Sequence, residues 1–359
     1  MSELSKLLNQ FQKKFPKITR KDSGIIRTIK LDSPQLSYLF GGGIPIGRIH
    51  RLRGPASGGK STMSIYMAAQ IQKKLPELLN RPTKKTVIYV DFERTFSKNF
   101  AEQLGLNCEE DHLIHLLPDD IETAADILMD LIKTDDIAAI IFDSDAAAPS
   151  RTMMSDPSGK ANFGGGAKSM SEFIRKINIL CANYDTTFFL ISQERVNMQP
   201  MSHLPSVTGG EAPAFYSSTI NRVTKIDVIK DAVETIGQQI RVRNYKNKTS
   251  VPFRDAEMNL YFKGGFKADE EYLDFIIKFD IFKQGGAWFT NEEYKVKLNG
   301  RVKVQEWLNQ NPDAFEKFKE QVDNFLSKEN NLDINNKDPS LEGDEPEITE
   351  EFLADDKEE

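Results

Sequence analysis

The sequence predicts an α/β protein: a mostly parallel sheet covered by helices on both faces, with a separate helix ahead of it and a small α+β domain behind it. Three observations carry this. The strand-like runs TVIYV (86–90), AAIIF (138–142) and TTFFLI (186–191) recur with intervals long enough for helices, and alternating strands and helices favour a parallel sheet buried on both sides. Arg48, Ile49, His50, Arg51, Leu52 and Arg53 alternate as a further strand ending at Gly54. From Asp269 onward the pattern changes to short helical stretches with Trp288 and Trp307.

Taken in chain order, residues 5–15 place Leu7, Leu8, Phe11 and Phe15 at helical spacing until Pro16 stops the pattern. This helix and its linker occupy 1–30. The core spans 31–268, with a glycine hinge at Gly41 to Gly43, and the small domain spans 269–328. The tail, 329–359, is expected to be disordered, because it holds few core-forming residues. Segment 333–359 carries 12 acids against Lys337 and Lys357, so the rest of the chain is net positive by three (45 basic, 42 acidic) although the whole carries −7. A partner that is a polyanion is therefore open to the body, with the tail either a solubiliser or an acidic flap competing for the same basic sites.

With 39% hydrophobic and 28% charged residues and no apolar run of about 18, no membrane-spanning helix is expected. The N-terminal 21 residues lack the layout of a secretory or transit peptide. Two cysteines, Cys108 and Cys181, are too few for a disulfide scaffold, and four histidines without a paired-cysteine motif argue against structural zinc. A cytoplasmic location is expected.

Gly54-Pro55-Ala56-Ser57-Gly58-Gly59-Lys60-Ser61 completes the GxxxxGK[ST] pattern between a strand and a helical run. Glycines let backbone N–H groups turn toward phosphates, Lys60 reaches the β/γ oxygens, and Ser61 Oγ is placed to ligate Mg²⁺. Thr62 continues the nucleotide-binding set. The second magnesium acid is Asp143, at the end of the buried strand AAIIF. VIYV leads into Asp91-Phe92-Glu93, and Glu93 is the candidate general base, with Asp91 assigned a structural role.

These motifs together resemble those of bacterial and phage RecA recombinases, over about residues 5–328. Besides GPASGGKST and YVDFE, the segments IFDSDAAAP, LISQERV, TGGEAPAFYSS, YKNKTSVPF, GGAWF and EWLNQNPDAF each resemble a RecA segment in the same order. The resemblance implies a RecA-like P-loop ATPase core using ATP and Mg²⁺, with Gln193 sensing the γ-phosphate. It implies a DNA-dependent ATPase that forms helical filaments on single-stranded DNA and pairs it with homologous double-stranded DNA. Single-strand-binding and mediator proteins are further implied partners. A ring helicase of the same fold and a non-catalytic ATP-regulated filament are the rival readings.

Residue by residue, the resemblance places DNA backbone contacts at Ser171, Arg175, Arg195, Gly209 and Gly210. Lys168, Val196 and, for base insertion, Phe163 complete the candidate DNA set. Lys246 and Lys248 match a pair that reaches into a neighbouring protomer's ATP site. Leu8, Phe11, Phe15 and Phe215 match the contact between protomers, and Phe100 matches an aromatic residue that stacks on adenine. The chain departs from the RecA pattern at Ser97, where an aspartate is usual, at Glu194, usually aliphatic, and at Asp145, usually valine.

Overall fold

The computed structural model describes residues 3–14, 26–155, 165–195, 206–207 and 211–335. Nine strands of its main sheet are β1 (Ile49–Gly54), β2 (Thr86–Asp91), β3 (Leu113–Leu116), β4 (Ile137–Asp143), β5 (Thr187–Arg195), β6 (Thr219–Asp231), β7 (Glu234–Asn247), β8 (Asp255–Tyr261) and β9 (Gly265–Phe266). Their spatial order is β9-β8-β7-β6-β1-β5-β4-β2-β3, and the short strand Ser206–Val207 pairs with the end of β5. From β6 to β3 every pairing is parallel. From β6 to β9 every pairing is antiparallel.

The parallel half forms because its strands are apolar on both faces. Val87 and Tyr89 of β2 face one side with Ile141, Ile191 and the helix Lys60–Leu79, where Met63, Met67 and Ile71 are buried. Ile88 and Val90 face the other, with Phe142, Phe188, Leu190 and the helices Ile121–Lys133 and Gly165–Tyr184. That two-residue alternation splits the core into two layers. The helix Ile121–Lys133 starts where Asp120 accepts from the Thr123 N–H at 2.7 Å.

The antiparallel half was not anticipated. β6 and β7 form a long hairpin turning at Ala232-Val233, with Val233 almost wholly exposed. Beyond residue 225 Ile226 and Val228 still alternate with Lys225 and Asp227, but neither face of the hairpin is buried there. β5 also runs to Arg195, past the apolar stretch that marks its start.

The C-terminal unit gathers helices Ala268–Lys278, Arg301–Gln310 and Pro312–Asn335 around Phe275, Phe282, Leu308 and Phe318. The last helix continues beyond 328. Trp288 stands on a three-stranded antiparallel sheet rather than in a helical stretch. Residues 336–359, most of the acidic tail, lie outside the described residues. The N-terminal helix spans Glu3–Lys14, with Leu7 and Phe11 about half exposed, while Phe15 lies outside the described residues. Among the described residues, no helix is long and apolar enough to cross a membrane.

The C-terminal unit meets the core at Glu271, which accepts from Ser33 Oγ at 2.6 Å and from the Gln35 N–H at 3.1 Å. Burial outweighs these two donors and pushes the carboxyl up to about 7. Between pH 4.5 and 7 the native state thus holds a proton that the unfolded state has lost, and stability falls as pH rises. Glu271→Gln keeps the acceptor and removes the ionisation. Thermal denaturation should find it roughly 1–3 kcal/mol more stable than wild type at pH 8, with little gain at pH 5.

Candidate active site

The parallel register brings the chemistry to one edge of the sheet. Gly54 at the end of β1 is level with Gln193 of β5, and Asp91 at the end of β2 is level with Asp143 of β4. Ligand sites in such sheets form beyond the carboxyl ends of the strands.

The turn after β1 needs glycine at two points. At Gly54 (φ 148°) a Cβ would fall 2.1 Å from the Val223 carbonyl oxygen. At Gly59 (φ 94°) it would fall 2.5 Å from Gln238 Nε2 and 2.9 Å from Leu260 Cδ2. Gly59 opens the helix Lys60–Leu79 without any side-chain cap, leaving its first N–H groups to face the turn. Pro55, Ala56 and Ser57 are exposed, Gly58 is buried, and Ser61 and Thr62 are half-buried.

Lys60 is buried, and its ammonium donates to the Gly54 and Pro55 carbonyls at 3.0 and 2.6 Å. Desolvation lowers its pKa, opposed by the carboxylates of Asp143, Glu194, Glu93 and Asp145. Asp143 is buried too, and its Oδ2 accepts from Ser61 Oγ at 2.7 Å and from Tyr89 OH at 2.6 Å. Burial holds this carboxyl above the ordinary range despite the two donors. A buried carboxylate beside a serine hydroxyl is a fitting donor pair for a hard divalent cation.

Glu93 lies within reach of two donors converging on Oε1, Ser144 Oγ and Gln193 Nε2, each at 2.6 Å. The amide expected beside a phosphate is therefore held on the candidate base. Asp91 does something else. It accepts from the Thr95 and Phe96 N–H groups at 3.3 and 3.0 Å, and His115 Nε2 lies 3.2 Å away, so it fixes the turn after β2. Phe100, half-buried, packs on the core from the helix Lys98–Gln103, and Ser97 caps that helix by accepting from the Phe100 N–H.

Other expected residues gather elsewhere. Lys168 and Arg175 are exposed on the helix Gly165–Tyr184, and Ser171 donates to the Ala167 carbonyl at 2.7 Å. Arg195 ends β5; Phe163, Val196, Gly209 and Gly210 lie outside the described residues. Lys246 donates to the carbonyls of Ala214 and Phe215, and Lys248 to that of Phe215 while lying over its ring. Phe215 is 58% exposed. Because Asn247 is level with Thr219, and Thr219 with His50, this cluster sits at the sheet edge opposite Gly54.

Sequence reasoning missed Tyr89 and Ser144 as site residues. Ser144 follows Asp143 directly, and Tyr89 alternates with Asp91 on the same strand. These positions were the available signals. Both glycine constraints are open to measurement: Gly59→Ala should lower stability by about 1–2 kcal/mol from the left-handed backbone alone, more with the contact, as read by thermal denaturation.

Known proteins are similar to this chain in sequence along most of their length. The family model for the RecA N-terminal domain matches residues 3–267. The chain is similar to Protein RecA of Rickettsia bellii strain RML369-C, 31% identical over 320 residues, covering 89% of this chain and 90% of the relative. It is 30% identical over 334 residues to Protein RecA of Mycoplasma mycoides, covering 91% and 93%. With Protein RecA of Rickettsia massiliae the identity is 32% over 311 residues, covering 86% and 87%. A sheet edge where Asp91 is level with Asp143 and Gly54 with Gln193, together with these matches over about nine-tenths of the chain, identifies the protein as a member of the RecA family.

Proposed function

We infer that the chain is a DNA-dependent ATPase that forms helical filaments on single-stranded DNA and catalyses homologous pairing and strand exchange. The observation that carries this is the 2.6 Å hydrogen bond from Gln193 to Glu93. It joins the candidate base to the strand whose far end, Glu194-Arg195, pairs with Val207-Ser206 and bounds the segment assigned to DNA.

In this reading the triphosphate of ATP lies over Gly54–Ser61, met by backbone N–H groups and by Lys60. Ser61 and Asp143 hold Mg²⁺, which supplies charge neutralisation for the phosphate oxygens. Glu93, oriented through Oε1 by Ser144 and Gln193, receives the proton of the attacking water at its other oxygen. Gln193 exchanges between Glu93 and the γ-phosphate, linking nucleotide state to β5. Phe100 stacks on the adenine, reached across the same edge of the sheet.

Lys168, Ser171, Arg175 and Arg195, with Phe163, Val196, Gly209 and Gly210, form the DNA-contacting set. Charges and backbone N–H groups read phosphates without base identity, so binding tolerates sequence and pairing supplies specificity. Lys246 and Lys248 stand at the wrong edge of the sheet to serve their own phosphate loop, and they act instead on the ATP of the next copy. Leu8, Phe11, Phe15 and Phe215 provide the contact between copies. A head-to-tail contact of this kind generates open helices.

ATP hydrolysis measured with and without single-stranded DNA, with electron microscopy of the same samples, tests the function. DNA-stimulated turnover on open fibres is expected. Closed rings would favour a helicase, and fibres without turnover a non-catalytic filament. Lys60→Ala should abolish hydrolysis, whereas Glu93→Gln should slow it by about 10²-fold or more while keeping ATP-dependent DNA binding. Loss of nucleotide binding in that variant would remove the base role. Lys246→Ala should also be inactive alone, yet mixed one to one with Glu93→Gln it should recover about a quarter of wild-type turnover, because that share of contacts pairs an intact Glu93 with an intact neighbouring lysine. Absence of recovery would reject action between copies.

A further inference from the structure

Neighbouring residues of a strand face opposite sides of the sheet. Gln193 turns toward Glu93, and Glu194 turns the other way, its side chain only 5% exposed. There its Oε1 lies 3.4 Å from Arg53 Nε, and its Oε2 accepts from Arg222 Nε at 3.0 Å. Arg53 and Arg222 are partners in the β1–β6 register. One carboxylate thus ties the ends of β5 and β1 to β6. The Arg53 guanidinium also lies 4.5 Å from the centre of the Tyr245 ring, which extends the layer to β7.

A second cluster sits one step back along the same strands. Arg51 donates to Ser192 Oγ at 2.8 Å and to Asp145 Oδ2 at 3.2 Å, and Asp145 Oδ2 also accepts from Ser192 Oγ at 2.6 Å. Burying so many charges gains little stability over apolar packing, but a buried pair with good geometry fixes one arrangement of the groups that hold it. The arrangement fixed here is the end of β5, directly behind Gln193.

We propose that Glu194 is a positioning residue for DNA-stimulated hydrolysis, clamping the end of β5 to β1 and β6 so that the contact of Gln193 with Glu93 responds to DNA bound beyond that strand end. This rests on the DNA-dependent ATPase reading. Without the carboxylate, Arg53 and Arg222 repel each other across adjacent strands and no longer hold β5, so a displacement at its end dissipates before reaching Gln193. Glu194 makes no hydrogen bond to the phosphate loop or to the candidate base, and the charge by which it reaches Lys60 is offset in Arg53→Gln/Glu194→Gln by the loss of Arg53, so basal turnover is left in place.

The test is steady-state ATP hydrolysis by the full chain with and without an oligo-dT strand, comparing wild type with Glu194→Gln and with Arg53→Gln/Glu194→Gln. The double variant keeps the wild-type net charge, so it remains informative if the loss of the carboxylate between the two arginines prevents the single variant from folding. DNA-stimulated kcat should fall about fivefold in both variants, with basal kcat and the KM for ATP within about twofold of wild type. A lower melting temperature with an unchanged stimulation ratio would overturn the proposal, because a purely structural role predicts that result. So would wild-type stimulation in the folded double variant. Wild-type turnover indifferent to DNA would instead overturn the underlying function and this proposal with it.

Discussion

Everything at the candidate site depends on four parallel strands ending at one edge in a fixed register. β1, β5, β4 and β2 are neighbours in the sheet, so Gly54, Gln193, Asp143 and Asp91 arrive together although they span 139 positions of sequence. Parallel pairing needs a helical crossover between strands, and each crossover here also buries one face of the sheet. The same helices that satisfy the hydrophobic layers therefore set which strand ends meet. A one-residue slip of β5 would send Gln193 to the face now held by Glu194, taking the amide away from the candidate base.

The register also explains how charge is distributed around the phosphate loop. Lys60 is buried and feels several carboxylates, none paired to it by a direct hydrogen bond; its donors go to backbone carbonyls. Asp143 is buried with neutral donors only, Ser61 and Tyr89. Arg51 and Arg53 meanwhile offset Asp145 and Glu194 on the opposite face. Negative charge remains available where a cation and a polyphosphate would meet, and it is neutralised where the sheet is only being held together.

What was legible in the sequence follows the range of the interactions. The phosphate loop was readable because its chemistry lies within eight consecutive residues between a strand and a helix. The acids after β2 and β4 were readable because apolar runs announce buried strands. The bond between Gln193 and Glu93 was not, since it depends on which strands become neighbours. Glu194 and Asp145 stood out in sequence as added negative charges; folding places each against an arginine from β1, a strand whose alternation alone gave no hint of partners. The outer hairpin of β6 and β7 was not singled out in the sequence, where its short alternation at Ile226 and Val228 is not followed by an apolar run like those of the buried strands.

The placement of Lys246 and Lys248 at the edge away from Gly54 gives the molecule a front and a back. On the proposed reading, a row of copies always leaves its terminal phosphate loop without a lysine donor, so n subunits complete n − 1 centres. A solitary copy then has none, and short rows are disproportionately idle. Polymer length itself becomes the variable that sets consumption of fuel, and the copy at the uncovered end takes no part in it.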